Sequence, residues 1–274
     1  MTLTDTPIRL LICDVDGTLV RHDKSLPDEN VAAIRDLSAR GVAVSLISAR
    51  PPAGLLGIAQ KLGVMGPMGA FNGGTIFRAD GTELATHRVP HITVEALLRL
   101  YTLPNVTRWV FAAGLWLTSN PADPHTPREV ISSGLQPQAV ADFTPWLGKV
   151  DKLVAVCDDD PTMDRIEQEA IELARVTANV VRSQDYYLDA TAPQANKGEG
   201  VAQIARLLGV PLENVAVIGD QANDISMFRR AGLAIAMGQA KPEVKAAAHL
   251  VAASNEDAGV ADAIARYIIP TLNG

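Results

Sequence analysis

Short apolar runs alternate with helical patterns near both ends of the 274-residue chain. Near the N-terminus, the runs are residues 8–13 and VAVSLI (42–47), with apolar residues at helical spacing between them. Near the C-terminus, a helical pattern at 201–208 precedes VAVIG (215–219). Short buried strands joined by helices are typical of βαβ units, whose strands lie parallel in one sheet. The sequence therefore predicts an α/β fold with a doubly wound parallel-sheet core.

The middle of the sequence differs from its two ends in composition. It contains all three tryptophans and a loop rich in proline and polar residues, SNPADPHTPRE (119–129). Strand-like pieces there flank helical patterns. We interpret residues 85–188 as a second, α+β domain inserted into the first. The core domain would then comprise residues 1–84 and 189–274.

The charge and cysteine content exclude some classes of protein. The formal net charge is −7, and no stretch concentrates Lys or Arg, so we expect neither nucleic acid nor a membrane as partner. The two cysteines, Cys13 and Cys157, suggest no disulfide framework, which suits a reducing cytosol. No signal peptide or bilayer-spanning stretch is evident, so we predict a cytoplasmic protein. The sequence leaves the oligomeric state open.

Polar side chains gather where an open α/β sheet places its sites, just past the carboxyl ends of strands. Four stretches lie there: DVDGTL (14–19), ISAR (47–50), NKGEG (196–200) and GDQANDISM (219–227). They supply clustered carboxylates, a hydroxyl, an amine and a helix N-terminus. Clustered carboxylates with amide and carbonyl oxygens suit Mg²⁺, whereas an ammonium and a helix N-terminus suit a phosphoryl group. Gly17 permits a tight turn that brings backbone N–H groups toward phosphate oxygens.

These stretches, in this order, resemble the signature of the haloacid-dehalogenase-like hydrolase superfamily: DxDGT, then Ser or Thr, then Lys, then GDxxxD. AFNGG (70–74), IAMGQA (235–240) and SNEDAGVA (254–261) resemble its Cof-type branch, which carries a large cap (class IIB) between the second and third motifs. The resemblance implies a Rossmann-like core with an inserted cap. It also implies a Mg²⁺-dependent phosphatase acting on small phosphorylated metabolites, with sugar phosphates as the expected class.

The resemblance also implies a role for each matching residue. Asp14 would attack phosphorus and become an aspartyl-phosphate, and Asp16 would protonate the leaving oxygen and then activate water. Ser48 and Lys197, with Gly17, would hold the phosphoryl group. The metal would be bound by Asp14, the backbone carbonyl of Asp16 and Asp220, with support from Asn223 and Asp224. Ala49 and Gln221 depart from the family pattern, which bears on substrate fit more than on chemistry.

Several alternatives stay open at this point. Asn72 and Gly73 would either contact the substrate or only shape a loop. A phosphomutase of the phosphomannomutase type resembles the same core and cap. A signalling receiver also gathers acids, a hydroxyl and a lysine, but it needs neither Asp16 nor a large insertion. A non-catalytic binding protein is disfavoured by the intact acids and lysine.

Overall fold

The computed structural model describes residues 6–272 of the chain. In chain order, its strands are β1 (Leu10–Asp14), β2 (Ala43–Ile47), β3 (Met68–Ala70), β4 (Thr75–Phe77), β5 (Glu83–Thr86), β6 (Thr107–Ala112), β7 (Leu115–Thr118), β8 (Pro137–Ala139), β9 (Val150–Val156), β10 (Asn179–Gln184), β11 (Tyr187–Thr191), β12 (Val215–Gly219), β13 (Leu233–Ala236) and β14 (Leu250–Val251).

The α-helices of the same residues are α1 (Asp28–Ala39), α2 (Ala53–Leu62), α3 (His91–Leu100), α4 (Thr126–Ser133), α5 (Asp160–Ala174), α6 (Lys197–Leu208), α7 (Ile225–Phe228), α8 (Pro242–Ala247) and α9 (Gly259–Ala263). Helix α9 continues as a π-helical turn, Ile264–Ile268. Between residues 6 and 272, every helix falls short of the length and apolar character that a bilayer crossing requires.

The chain divides into two compact units. One, here called the core unit, holds the residues up to Ala49, Leu55–Leu84 and those from Asn196 onward. The other, the inserted unit, holds Arg50–Gly54 and Ala85–Ala195. The boundary at 195 has a local cause, since the Asn179 side chain donates hydrogen bonds to the carbonyls of Ala192, Pro193 and Ala195 at 3.2, 3.1 and 3.4 Å. These bonds tie residues 192–195 to the inserted unit.

The sheet of the core unit has eight strands in the order β14-β13-β12-β1-β2-β3-β4-β5. The pairs from β14 to β3 are parallel, and β3 pairs antiparallel with β4. A turn at Asp80-Gly81 joins β4 and β5, and Gly81 has the positive φ of 85° that such a turn favours. The predicted α/β fold is confirmed.

Strand β1 lies in the middle of this sheet because its residues are apolar enough to be covered on both faces. All five of its residues are buried. Asp14 is in register with Ile47 of β2, and Cys13 with Ile218 of β12. The carboxyl ends of three neighbouring strands are thus level, and the loops that follow them start side by side.

The inserted unit has a six-stranded sheet in the order β10-β11-β9-β6-β7-β8. Apolar residues of α3 and α5 form one buried cluster with alternate residues of the central strands, such as Val110 and Leu153. The neighbouring pairs are antiparallel except β7 with β8. This mixture agrees with the α+β character predicted for the middle of the chain.

One local prediction was wrong. Residues 119–129 were expected to be a loop, but α4 begins at Thr126. Pro127 lies in the first turn of α4, where its missing N–H has no helical partner to lose and its fixed φ favours the helix. Gly134, with a φ of 68°, ends the helix. The proline that suggested a loop therefore starts a helix.

Candidate active site

A buried ion pair joins the end of β1 to the start of α6. Asp14 is the last residue of β1, and Lys197 is the first residue of α6. The Asn196 side chain caps this helix by accepting a hydrogen bond from the Glu199 backbone N–H at 2.9 Å. This cap fixes the start of the helix at Lys197. Lys197 Nζ donates to Asp14 Oδ1 at 2.6 Å, and neither side chain is more than 5% exposed. The structure therefore brings these two predicted site residues into direct contact.

Asp224 holds both the lysine and the loop after β12. Its Oδ1 accepts from Lys197 Nζ at 2.6 Å. Its Oδ2 accepts from the backbone N–H groups of Asp220 and Gln221 at 2.8 and 2.9 Å. Since Asp224 is fully buried, these bonds replace the water that its carboxylate would otherwise bind. Asp224, predicted as a supporting residue, thus links the third and fourth motifs.

Asp220 packs against the tight turn that follows β1. Thr18 Oγ1 donates to Asp220 Oδ1 at 3.0 Å, and Gln221 Nε2 donates to Oδ2 at 2.9 Å. Gly17 has a φ of 77°, and a Cβ added there would overlap the Asp220 carboxylate. Glycine is therefore required at this turn by both its conformation and its contact. Gln221, a departure from the family pattern, orients the acid beside it.

The burial of these acids opposes their ionisation. Burial raises the pKa of Asp14 well above its ordinary value, and the neighbouring charges of Asp224 and Asp220 add to that rise, while Lys197 opposes it. Burial and the charge of Asp224 likewise raise the pKa of Asp220 to about 6. Burial alone would lower the pKa of Lys197, but Asp14 and Asp224 outweigh it and raise the pKa. Lys197 is therefore a fixed cation among acids that it does not fully neutralise.

Three buried carboxylates offer a place for a metal ion. Oxygen atoms of Asp14, Asp220 and Asp224 lie within 4.8 Å of one another. When all three are ionised, the single ammonium of Lys197 leaves two negative charges uncompensated in a buried setting, which is strongly unfavourable. An all-oxygen donor set of this charge fits a hard divalent cation such as Mg²⁺. The residues present therefore fit the predicted metal.

Ser48 follows β2 directly and is almost completely buried. Its backbone N–H donates to the carbonyl of Gly69 at 2.9 Å, and its own carbonyl accepts from the N–H of Asn72 at 2.7 Å. Because Ile47 is in register with Asp14, Ser48 lies one residue past the level of the carboxylate on the adjacent strand. Hydrogen bonds of both its N–H and its carbonyl thus fix the backbone of Ser48, the residue predicted to supply the hydroxyl.

An unusual left-handed turn follows β3. Phe71, Asn72 and Gly73 have φ values of 50°, 58° and 87° in succession. Left-handed conformations are unfavourable for residues with a Cβ, and such strain is concentrated at functional sites. Asn72 Oδ1 accepts from Asn223 Nδ2 at 3.1 Å, and a Cβ on Gly73 would come within 2.8 Å of Gly200 Cα in α6. The turn therefore joins the loop after β12 to α6, and Asn223 braces Asn72.

Asp16 is more exposed than the three buried carboxylates. Its side chain is 35% exposed and forms an ion pair with Lys24 at 2.7 Å between Nζ and Oδ1. The two acids of the DxD motif therefore have different surroundings, since Asp14 is buried with Lys197 and Asp16 remains accessible to solvent. A group that exchanges protons needs such access, whereas a nucleophile needs a fixed position.

Sequence reasoning missed several residues of this site. Thr18 was part of the recognised motif but had no role assigned, and Lys24 had no signal in the sequence at all. Gln239 and Asn255 belong to the stretches IAMGQA and SNEDAGVA, which resembled the family but had no role assigned. In the structure, Gln239 Nε2 donates to the carbonyl of Gly17, and Asn255 Nδ2 donates to the carbonyl of Val20 at 3.0 Å. Both hold the segment that contains Asp16.

Comparison with known proteins identifies similar chains. The chain is 26% identical to the 5-amino-6-(5-phospho-D-ribitylamino)uracil phosphatase YcsE of Bacillus subtilis over 97% of this chain and 98% of that protein. It is 27% identical to a phosphoglycolate phosphatase of Metallosphaera sedula over 94% of this chain and 97% of the other.

A solved structure of a haloacid dehalogenase-like hydrolase from Bacteroides thetaiotaomicron superposes with a TM-score of 0.88, at 27% identity, over 94% of this chain and 99% of that one. The sequence profile described as haloacid dehalogenase-like hydrolase matches residues 11–264. This match confirms the resemblance stated from the motifs and the prediction of a hydrolytic enzyme. The chain belongs to the haloacid dehalogenase-like hydrolases.

Proposed function

We propose that this protein is a Mg²⁺-dependent phosphatase that hydrolyses phosphate monoesters of small metabolites through an aspartyl-phosphate on Asp14. The observation that carries the proposal is the buried Asp14 carboxylate, held by Lys197 at 2.6 Å and clustered with Asp220 and Asp224. A carboxylate that is fixed in place and shielded from water is suited to attack an electrophilic phosphorus.

In the first half of the reaction, a carboxylate oxygen of Asp14 forms a bond to phosphorus, and the bond from phosphorus to the ester oxygen breaks. The electron pair of that bond stays on the leaving oxygen, which takes a proton from Asp16 and departs as an alcohol. General acid help of this kind contributes about 10²–10⁴-fold to the rate. The solvent-accessible position of Asp16 supports this role.

In the second half, Asp16 takes a proton from water, and the water oxygen attacks the phosphorus of the aspartyl-phosphate. The bond between phosphorus and the Asp14 oxygen breaks, so that inorganic phosphate leaves and both aspartates return to their first state. Asp16 thus acts as acid and then as base, and the proton balance closes over one cycle.

The transferred phosphoryl group needs cationic and N–H partners, because negative charge on its oxygens must be balanced throughout. Lys197 supplies the ammonium, and the start of α6 supplies the positive end of a helix of twelve residues. We assign Ser48 and the backbone at Gly17 as further phosphate donors, on the basis of the motifs and their place beside Asp14. Asn72, braced by Asn223, is the proposed substrate contact.

Asp14 and Asp220, with the backbone carbonyl of Asp16, would bind the metal, and Asp224 belongs to the same acidic cluster. When bound, Mg²⁺ would neutralise charge on the carboxylates and on the phosphoryl oxygens. Asn223 and Asp224 would support this site through the contacts that hold its loop.

Substrate identity is a finer part of the proposal. The two relatives named above act, by their names, on a phosphoribityl compound and on phosphoglycolate, although both are about equally identical to this chain. We propose sugar phosphates and related polyol phosphates as the class for this protein. The cytoplasmic location and the lack of a nucleic-acid partner stay predictions from the sequence.

The test is a screen of the purified protein against phosphorylated sugars, polyols and short acids, with Mg²⁺ and with chelator. We expect phosphate release that requires Mg²⁺, is abolished by Asp14→Asn, and is retained by Asp36→Asn, a control at an exposed residue of α1. Release must occur without a bisphosphate activator, since a phosphomutase would depend on one. Full activity of Asp14→Asn would overturn the proposed mechanism.

A further inference from the structure

The segment between β1 and α1 folds back on itself and presents a lysine to Asp16. The backbone N–H of Arg21 donates to the carbonyl of Ser25 at 2.9 Å, and the N–H of Lys24 donates to the carbonyl of Arg21 at 3.0 Å. These two bonds close a tight turn. Lys24 Nζ then reaches Asp16 Oδ1 at 2.7 Å, eight residues back along the chain.

Lys24 occupies a backbone conformation that lysine rarely adopts. Its φ is 69°, in the left-handed region. This conformation is unfavourable for a residue with a Cβ but not for glycine. If the turn served only to connect β1 with α1, glycine would be the favoured residue at this position. A strained lysine whose side chain reaches an acid of the active site indicates that the ammonium itself has a use.

The turn is also anchored from a distant part of the chain. Asn255 Nδ2 donates to the carbonyl of Val20 at 3.0 Å, in a buried contact. The N–H of His22 donates to Glu256 Oε1 at 2.8 Å. Gln239 Nε2 donates to the carbonyl of Gly17, and Gln239 Oε1 accepts from the N–H of Asn255 at 3.1 Å. The stretches IAMGQA and SNEDAGVA, which the sequence marked only by their resemblance to the family, thereby hold the turn in place.

We propose that Lys24 is a positioning residue for Asp16. The anchored left-handed turn places the Lys24 ammonium against Asp16 Oδ1. This contact holds the Asp16 carboxyl group where it can reach the leaving oxygen and the attacking water. This inference rests on the proposed function of Asp16 as acid and base. Lys24 itself touches neither phosphorus nor metal in this scheme. Its contribution is to restrict the side-chain rotation of an aspartate that is 35% exposed.

The position of Asp16 matters most for an ester whose leaving group requires a proton. Wild type, Lys24→Met, Lys24→Gly, Lys24→Arg and Asp16→Asn are compared on glycerol 2-phosphate, an alkyl ester, and on p-nitrophenyl phosphate. For Lys24→Met and Lys24→Gly we expect kcat on the alkyl ester to fall about 10-fold with little change in KM, because a misplaced acid slows chemistry without weakening binding. The loss on p-nitrophenyl phosphate, whose leaving group needs no proton, is expected to be smaller. Lys24→Arg should recover most of the activity.

Lys24→Gly separates positioning from folding. Glycine relieves the left-handed strain, so we expect the melting temperature of this variant to equal or exceed that of wild type while kcat falls. Lys61→Met, an exposed lysine in the last turn of α2, is the matched control and should leave both quantities unchanged. A Lys24→Gly variant with wild-type kcat would overturn the inference, since the ammonium would then be dispensable.

A double mutant tests whether Lys24 acts through Asp16. We expect Asp16→Asn combined with Lys24→Met to be no slower than Asp16→Asn alone, since the lysine then has no acid to position. Fully additive losses would overturn the inference and leave the proposed function standing. Wild-type turnover of Asp16→Asn would instead overturn the proposed role of Asp16, and the inference with it.

Discussion

Without a bound metal, the buried acids should make the folded state of this protein less stable as the pH rises from 4 to 7. Burial and the charge of Asp224 raise the pKa of Asp220 from its usual 3.8 to about 6. In metal-free protein the folded state therefore holds a proton on Asp220 that the unfolded chain has already lost. This stabilisation is fully present below pH 3.8 and is lost as the pH rises through about 6.

The size of the effect follows from the pKa difference between the two states. A rise from 3.8 to about 6 corresponds to about 3 kcal/mol of unfolding free energy. For a protein of this size, a change of that order shifts the melting temperature by about 5–10 °C. Asp14 has a raised pKa from the same causes, burial first, and acts in the same direction.

The assay is thermal unfolding between pH 4 and pH 7, with chelator and with Mg²⁺, for wild type and Asp220→Asn. Asparagine does not ionise, so in chelator the stability of Asp220→Asn should rise relative to wild type across this range by up to about 3 kcal/mol. The comparison within each pH cancels the contribution of surface carboxylates, which both proteins share. With wild type, stabilisation by Mg²⁺ should grow over the same range, because the metal favours ionised carboxylates.

Two results would refute this reasoning. Parallel pH profiles of wild type and Asp220→Asn in chelator would show that Asp220 does not carry a raised pKa in the folded protein. A stabilisation by Mg²⁺ that is the same at pH 4 and pH 7 would show that the metal does not bind to these buried acids.

Three further outcomes are expected from the site. Asp14→Asn should show no acid-stable phosphoprotein after incubation with substrate and no measurable turnover, and labelled protein would contradict its role as nucleophile. Asp16→Asn should lower kcat on alkyl phosphates by about 10²–10⁴-fold while the protein still binds Mg²⁺ in calorimetry; wild-type rates would exclude Asp16 as acid and base. Gly17→Ala should weaken Mg²⁺ binding and lower the melting temperature, because its Cβ would overlap the Asp220 carboxylate and its φ is 77°; an unchanged calorimetric titration would contradict the assigned contact.

The sequence predicted much of the core because its signals are local. The apolar run of residues 8–13, the NKGEG stretch and the helical pattern at 201–208 each act on the few residues beside them. Parallel strands place their carboxyl ends at one edge, so the four motifs could be expected to meet. That rule and the order of the motifs were enough to predict that Lys197 and Asp14 lie close together.

Other features depend on contacts that no local pattern encodes. Lys24 pairs with Asp16 from a left-handed turn that Gln239 and Asn255 hold from more than two hundred residues away. Asn72 meets Asn223 across 151 residues. In the inserted unit, the prolines around α4 suggested a loop, because proline favours both loops and the first turn of a helix. Only the packed chain distinguishes these outcomes.

The position of β1 in the middle of its sheet has a consequence for synthesis on the ribosome. Its neighbour β2 follows within about thirty residues, but its other neighbour, β12, is translated some two hundred residues later. Between them comes the whole run Ala85–Ala195, which has its own core. We therefore expect the nascent chain to keep one edge of β1 unpaired, and Asp14 without Lys197, until the last quarter of the protein emerges. A chain released early would have an open sheet edge that a chaperone could bind, and it would lack the ion pair between Asp14 and Lys197.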